Sequence, residues 1–200
     1  MKKIFCAAII LVFAVNLFAQ EMNKEIVKLQ KKFETINNFT ADFSQKTAGE
    51  NNKSGFSLKG KFLFQKKNNF RIEFARQTII SDGETIWNYN KGMKRVVISS
   101  FENEPSAFSI NAFIMEYPSK CKIKSLDSKT IKMVPFTDDV EFNSVLIKYD
   151  KNYVIEYIEV EDFSETKYIV SLYNVKLNKK LSKEKFTFTP PEGIQVVDLR

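Results

Sequence analysis

The sequence predicts a mainly β protein of the α+β class: a strongly curved antiparallel sheet, or incomplete barrel, with helices over its mouth. Three observations predict this. Short runs of period-two apolar alternation recur about eleven times, separated by polar turn residues. Two stretches instead have helical spacing, one ahead of the first strand and one in mid-chain. No linker, repeat or shift of composition divides the 200 residues, which suffice for one domain with a core.

Residues 1–19 read as a secretory leader, with residues 20–200 as a single domain. Lys2 and Lys3 form the charged region, Ile4 to Phe18 the apolar region, and Ala19 the cleavage residue. The apolar run is short for a membrane span, with an uncleaved anchor as the alternative. Cys6 lies too early to be a lipid-attachment cysteine, so the expected product is soluble and exported. Cleavage would remove two lysines from a formal net charge of +7. The remaining excess is spread along the chain and forms no nucleic-acid stripe.

Residues 22–37 carry Ile26, Leu29, Phe33 and Ile36 on one face, with Asn23 as cap and Glu25 in the first turn. Docking on a sheet and a partner helix both satisfy such a stripe. Phe39 to Thr47 is the first strand, with Phe39, Ala41, Phe43 and Gln45 on one face. In the second strand Phe56, Leu58, Gly60, Phe62 and Phe64 share a face. Gly60 there implies a bend, a bulge or close approach of another backbone. Phe70, Ile72 and Phe74 alternate in the third strand, and Trp87 and Tyr89 in the fifth. The breaks at Lys66 to Asn69, Ser81 to Glu84 and Asn90 to Met93 are hairpin chemistry. From Lys59 to Tyr89 the chain thus builds a broad aromatic wall. With 19 Phe in the chain, that wall is either an ordinary core or the lining of an apolar cavity.

The pattern changes at Phe101 to Pro118, where Ala107, Phe108, Ile110, Phe113, Ile114 and Tyr117 have helical spacing. A helix or helix pair this apolar must lie on an apolar surface. Strands resume at 120–126, 130–134, 141–149, 153–160 and 167–177. A last strand falls at Phe186 to Thr189, stopped by Pro190 and Pro191.

Catalytic chemistry finds few groups. The chain has no His, which removes the usual general base, the commonest metal ligand and the Ser or Cys triad. Without the leader, Cys121 stands alone and alternates inward with Ile123. The acidic pairs Asp138–Asp139 and Glu161–Asp162 fall in turns, where solvated carboxylates are the ordinary reading. No phosphate loop is present. Neither an enzyme nor a cofactor is expected, and export argues against nucleic-acid stacking. Apolar binding is what remains.

Five ordered segments resemble the LolA family, periplasmic carriers of outer-membrane lipoproteins. They are Phe39-Thr40-Ala41-Asp42-Phe43-Ser44-Gln45-Lys46, Gly60 to Phe64, Asn69-Phe70, Ile80 to Tyr89, and Phe186 to Gly193. The resemblance implies an unclosed antiparallel β-barrel covered by a helical lid, with acyl chains held between them. It implies cargo received from an inner-membrane ABC transporter and passed to an outer-membrane lipoprotein receptor, by a soluble and monomeric protein. An outer-membrane receptor of similar fold would itself be a lipoprotein, which the missing lipid-attachment cysteine disfavours. A lipid carrier or envelope-stress sensor of the same fold stays open.

Phe70 falls where the family has a cavity-side Phe and Ile72 where it has another large apolar residue. By alternation Phe62, Phe64 and Phe74 join that face, and Trp87 is added to the cavity set. Leu29, Phe33, Phe108, Ile110 and Phe113 are the lid candidates. One departure stands out. Where the family has an Arg-Pro pair whose Arg holds the lid closed, this chain has Lys66-Lys67. Lys66 is the latch candidate, without the planar fork of Arg.

Overall fold

The structure is a computed structural model that describes residues 23–49, 54–103 and 110–200. The expected leader and Phe108 lie outside the described residues.

Helix α1 (Lys24–Glu34) opens the described chain. The Asn23 side chain caps it, accepting the Glu25 N–H at 2.9 Å. Glu25 in the first turn and Lys31 and Lys32 in the last complement the helix dipole. Its apolar stripe puts Ile26, Leu29 and Phe33 under cover.

The strands are β1 (Asn38–Ala48), β2 (Ser54–Gln65), β3 (Asn69–Phe74), β4 (Gln77–Asp82), β5 (Thr85–Asn90), β6 (Arg95–Ser100), β7 (Cys121–Asp127), β8 (Thr130–Pro135), β9 (Ser144–Tyr149), β10 (Ile155–Glu161), β11 (Lys167–Leu177) and β12 (Gln195–Asp198). They form one twelve-stranded sheet in the order β12-β6-β5-β4-β3-β2-β1-β11-β10-β9-β8-β7. The two ends, β7 and β12, do not pair, so the sheet curls without closing. Neighbours are antiparallel except β12 and β6, which run parallel. The long strands β1, β2 and β11 form its spine.

One face carries the main core. Phe39, Ala41 and Phe43 of β1, Ile147 of β9 and Ile158 of β10 lie there with α1 on top. Gly60 resolves as close approach. A Cβ placed there would stand 2.1 Å from the Glu73 carbonyl oxygen and 2.8 Å from the Phe43 ring.

Two expected elements differ. Phe186 to Thr189 is not a strand: Lys183–Phe186 is a 3-10 turn, and the last strand is β12. Pro190 and Pro191 cannot donate to a ladder, and Phe186 instead buries itself against the back of the sheet. The mid-chain helix is also less regular than its spacing implies. After a 3-10 turn at Phe101–Asn103, the described chain resumes helically at Ile110. It widens to a π-type helix at Ala112–Glu116 and tightens to a 3-10 turn at Tyr117–Lys120. The Tyr117 N–H reaches back five residues to Ala112, and Pro118 offers no N–H to prolong the helix.

Candidate functional site

Between the concave face of the sheet and the 110–117 segment lies a cavity of about 780 Å³. That is within the range of small-ligand sites, about 300–1,000 Å³. Pleat and register place its wall. Phe43, Phe62, Ile72 and Ile79 come from β1 to β4, Ile158 and Val160 from β10, and Val170 from β11. Phe62 faces Ala41 on one side and Ile72 on the other. Gly60 lies between Phe43 and Phe74, whose rings meet edge to face at 5.4 Å across it. A side chain at Gly60 would close that part of the wall.

Ile110, Phe113 and Tyr117 form the roof. Phe113 and Tyr117 pack with Phe142 in a three-ring cluster, centroids 5.1–6.0 Å apart. Phe142 and Val140 sit in the segment before β9, which sequence patterning assigned to a turn and the start of a strand. Irregular backbone has no period, so their inward direction was not readable. Phe43, Ile158, Val160 and Val170 were readable as strand alternation but were not singled out.

The expected cavity residues divide. Phe62, Ile72 and Phe74 line the cavity. Phe64 lies on the same face farther along, between Phe39 at 5.3 Å and Phe33 at 6.1 Å, centroid to centroid. Phe70 pairs with Phe64 and is half-buried on that face. Neither is among the residues bordering the cavity. Trp87 is not on this wall at all. It pairs with Ile80, and Ile80 pairs with Arg71. That parity puts Trp87 on the opposite face from Phe70 and Ile72. Alternation within β5 identifies which residues share a face but not which face of the sheet that is; the β4–β5 register decides it.

The lid candidates divide too. Ile110 and Phe113 border the cavity. Leu29 and Phe33 instead pack α1 onto Ile36, Phe39 and Leu172, leaving only about 20 Å³ between them. That is room for about one water. The roof therefore has a tightly packed half, α1, and a half that stands over open volume.

Polar groups fasten α1 at both ends. At its start Glu25 accepts from Tyr149 and Tyr153, both at 3.1 Å, and from Lys28 at 2.9 Å. The Lys28 ammonium and the two tyrosine hydroxyls hold its carboxyl below the usual range. Burial, with Glu25 adjacent, pushes the Tyr149 hydroxyl well up, so it stays a donor. At its end Lys66 Nζ donates to the Glu34 carbonyl oxygen at 2.7 Å, and Asn178 Nδ2 to that of Thr35 at 3.0 Å. The last carbonyls of a helix lack intrahelical partners, and a cation suits their partial charge. Gln30 ties α1 to the roof with a bond of 3.1 Å to the Ile114 carbonyl oxygen.

Cys121 is 2% exposed. Burial pushes its thiol up to about 11, so it carries almost no thiolate at neutral pH. Among the described residues no helix is long and apolar enough to cross a membrane.

Residues 34–189 match the family model described as outer membrane lipoprotein carrier protein LolA. Two relatives are each named outer-membrane lipoprotein carrier protein. One, from Francisella tularensis subsp. novicida, is 23% identical over 99% of this chain and 98% of its own length. The other, from Francisella philomiragia, is 26% identical over the same shares. Among solved structures, an uncharacterized conserved protein from Thermus thermophilus has a similar fold. It aligns with a TM-score of 0.55 and 13% identity, covering 87% of this chain and 96% of that one.

Proposed function

This chain belongs to the LolA family of outer membrane lipoprotein carrier proteins, and from that premise we propose that it takes up lipoprotein acyl chains in the cavity beneath the 110–117 segment. It would work in the periplasm as a soluble monomer. An inner-membrane ABC transporter would load it, and an outer-membrane receptor would unload it.

The observation that carries this reading is the cavity itself, an apolar hollow of about 780 Å³ left between sheet and roof. Each acyl CH₂ withdrawn from water contributes about 0.8 kcal/mol, so a chain of ordinary length gains a large driving force there. Release requires a competitor for the same surface. The roof residues Ile110 and Phe113, which border the same hollow, supply one by settling onto the wall as cargo leaves. The difference between two large burial terms stays small, and exchange stays reversible.

The test is native mass spectrometry of the protein with a detergent-solubilised diacyl or triacyl lipoprotein, alongside Phe62→Glu. Phe62 is half-buried on the cavity wall, so the variant is expected to fold while losing most of the complex. A one-to-one complex that the variant weakens supports the carrier. No complex, or one that Phe62→Glu leaves untouched, refutes binding at this wall.

A further inference from the structure

The chain carries a formal net charge of +7, yet among the described residues the charged ones that border the cavity, Asp139, Glu141 and Asp162, are all carboxylates. Lysines supply most of the chain's positive charge, and among the described residues none of them borders this cavity. The wall residues that reach solvent mark its mouth: Asp139 and Glu141 are exposed, as is Tyr168 at 41%. Asp139 pairs with Lys120, and that ammonium holds its carboxyl below the usual range. Asp162 turns the β10–β11 hairpin, its Oδ1 accepting from the N–H groups of Ser164 at 2.8 Å and Thr166 at 2.9 Å. Glu141 borders the same cavity. Among the described residues, Lys120 offsets one of the three carboxylates that border the cavity, and the deeper wall around Phe62 and Ile72 is uncharged.

Resting on the acyl-cavity reading above, we propose that this mouth selects the class of cargo: acylated peptides that are cationic or neutral next to their acyl chains, over acyl ligands anionic at that point. The geometry forces the contact. Acyl chains that fill the apolar interior leave their polar attachment point at the rim. A phosphate, a free fatty-acid carboxylate or a glutamate there faces like charge, whereas a lysine there meets opposite charge. The apolar wall supplies affinity and the rim discriminates.

Three lipopeptides with identical palmitoyl chains test this, followed by two lysines, two glutamates or two serines, with binding read by calorimetry. At low salt the lysine peptide is expected to bind about three- to tenfold more tightly than the glutamate peptide, as a few exposed charge pairs allow. The ratio should shrink towards one near 1 M salt, where screening acts within about 3 Å. In Glu141→Gln/Asp162→Asn the low-salt ratio of lysine to glutamate peptide should also collapse towards one, whatever the variant's affinity for the serine peptide. The Asn side-chain oxygen can still accept the Ser164 and Thr166 N–H groups, so the hairpin is kept. Should the double variant not fold, the salt series on the wild type decides. Equal binding of the charged peptides, or preference for glutamate, overturns the selectivity and leaves the acyl cavity standing. Failure of all three peptides to bind removes the acyl cavity, and the selectivity with it.

Discussion

At the scale of single residues, Gly60 shows how a wall of large rings is kept open. The Phe43 and Phe74 rings meet across it, and the Glu73 carbonyl lies where its Cβ would be. Backbone cannot retreat from a 2.1 Å contact without breaking the β2–β3 pairing. Gly60→Ala is therefore expected to lose about 1–3 kcal/mol, the usual range for overpacking, as measured by urea denaturation. Stability within about 0.5 kcal/mol of wild type would show that the strand relaxes freely. Strand alternation alone pointed to a special role for Gly60, because a glycine amid large side chains needs a spatial reason. Trp87 resisted the same reasoning. Its strand is patterned on both faces, so only the hydrogen-bonded register could assign its side.

At the scale of elements, α1 was the most legible part of the cover, and the 101–120 stretch the least. Ile26, Leu29 and Phe33 form a single stripe on α1, which ends at Glu34 rather than at residue 37, and with Ile36 just beyond it all are buried. Burial of each contributes about 1.5–3 kcal/mol. The Lys66 contact to the Glu34 carbonyl, like other cations at exposed helix ends, contributes about 0.3–1 kcal/mol. Burial therefore holds α1 in place, and Lys66 secures only its last turn. Lys66→Ala should leave the fold intact and speed amide exchange at Thr35 to Asn37, with Lys66→Arg restoring protection. Unchanged exchange in Lys66→Ala would remove the latch. The other end of α1 adds a pH dependence. Glu25 titrates below its ordinary value in the folded protein, chiefly because Lys28 stands beside it. Its stabilising contribution is thus full above the ordinary carboxylate range and is lost as pH falls through the depressed folded value. Thermal stability should fall with acid in the wild type and less steeply in Glu25→Gln. An identical acid slope in the two proteins would show that Glu25 carries none of it. The roof was harder to read because its helix is π-wide at Ala112–Glu116. The apolar spacing pointed to helical structure, and the described part from Ile110 is helical, but nothing in that spacing distinguishes an α from a π turn.

At the scale of the whole molecule, the sheet around β3 to β6 is covered on both faces by different parts of the chain. α1 and the 110–120 segment cover the concave face. On the back, Phe186 is buried beside β3 and β4. Phe188 meets Tyr89 there at 5.1 Å, and β12 extends β6. Ile80, Val96 and Ile98 are buried on this back face, outside the core that surrounds the cavity. The two layers can therefore respond separately, and the only tryptophan reports on one of them. Trp87 shares its face with Tyr89 and not with Phe62 or Ile72. Filling the cavity with a lipopeptide should leave the Trp87 emission maximum in place, even as the bound form melts higher by mass action. Phe186→Ala should do the reverse. It opens the back layer, shifts Trp87 emission to the red and costs about 3–5 kcal/mol, while ligand affinity at temperatures below the transition is retained. A ligand-induced shift of Trp87 emission in the wild type would show that the sheet transmits cavity filling to its back. The C-terminal segment would then belong to the exchange machinery rather than to a separate layer of the core.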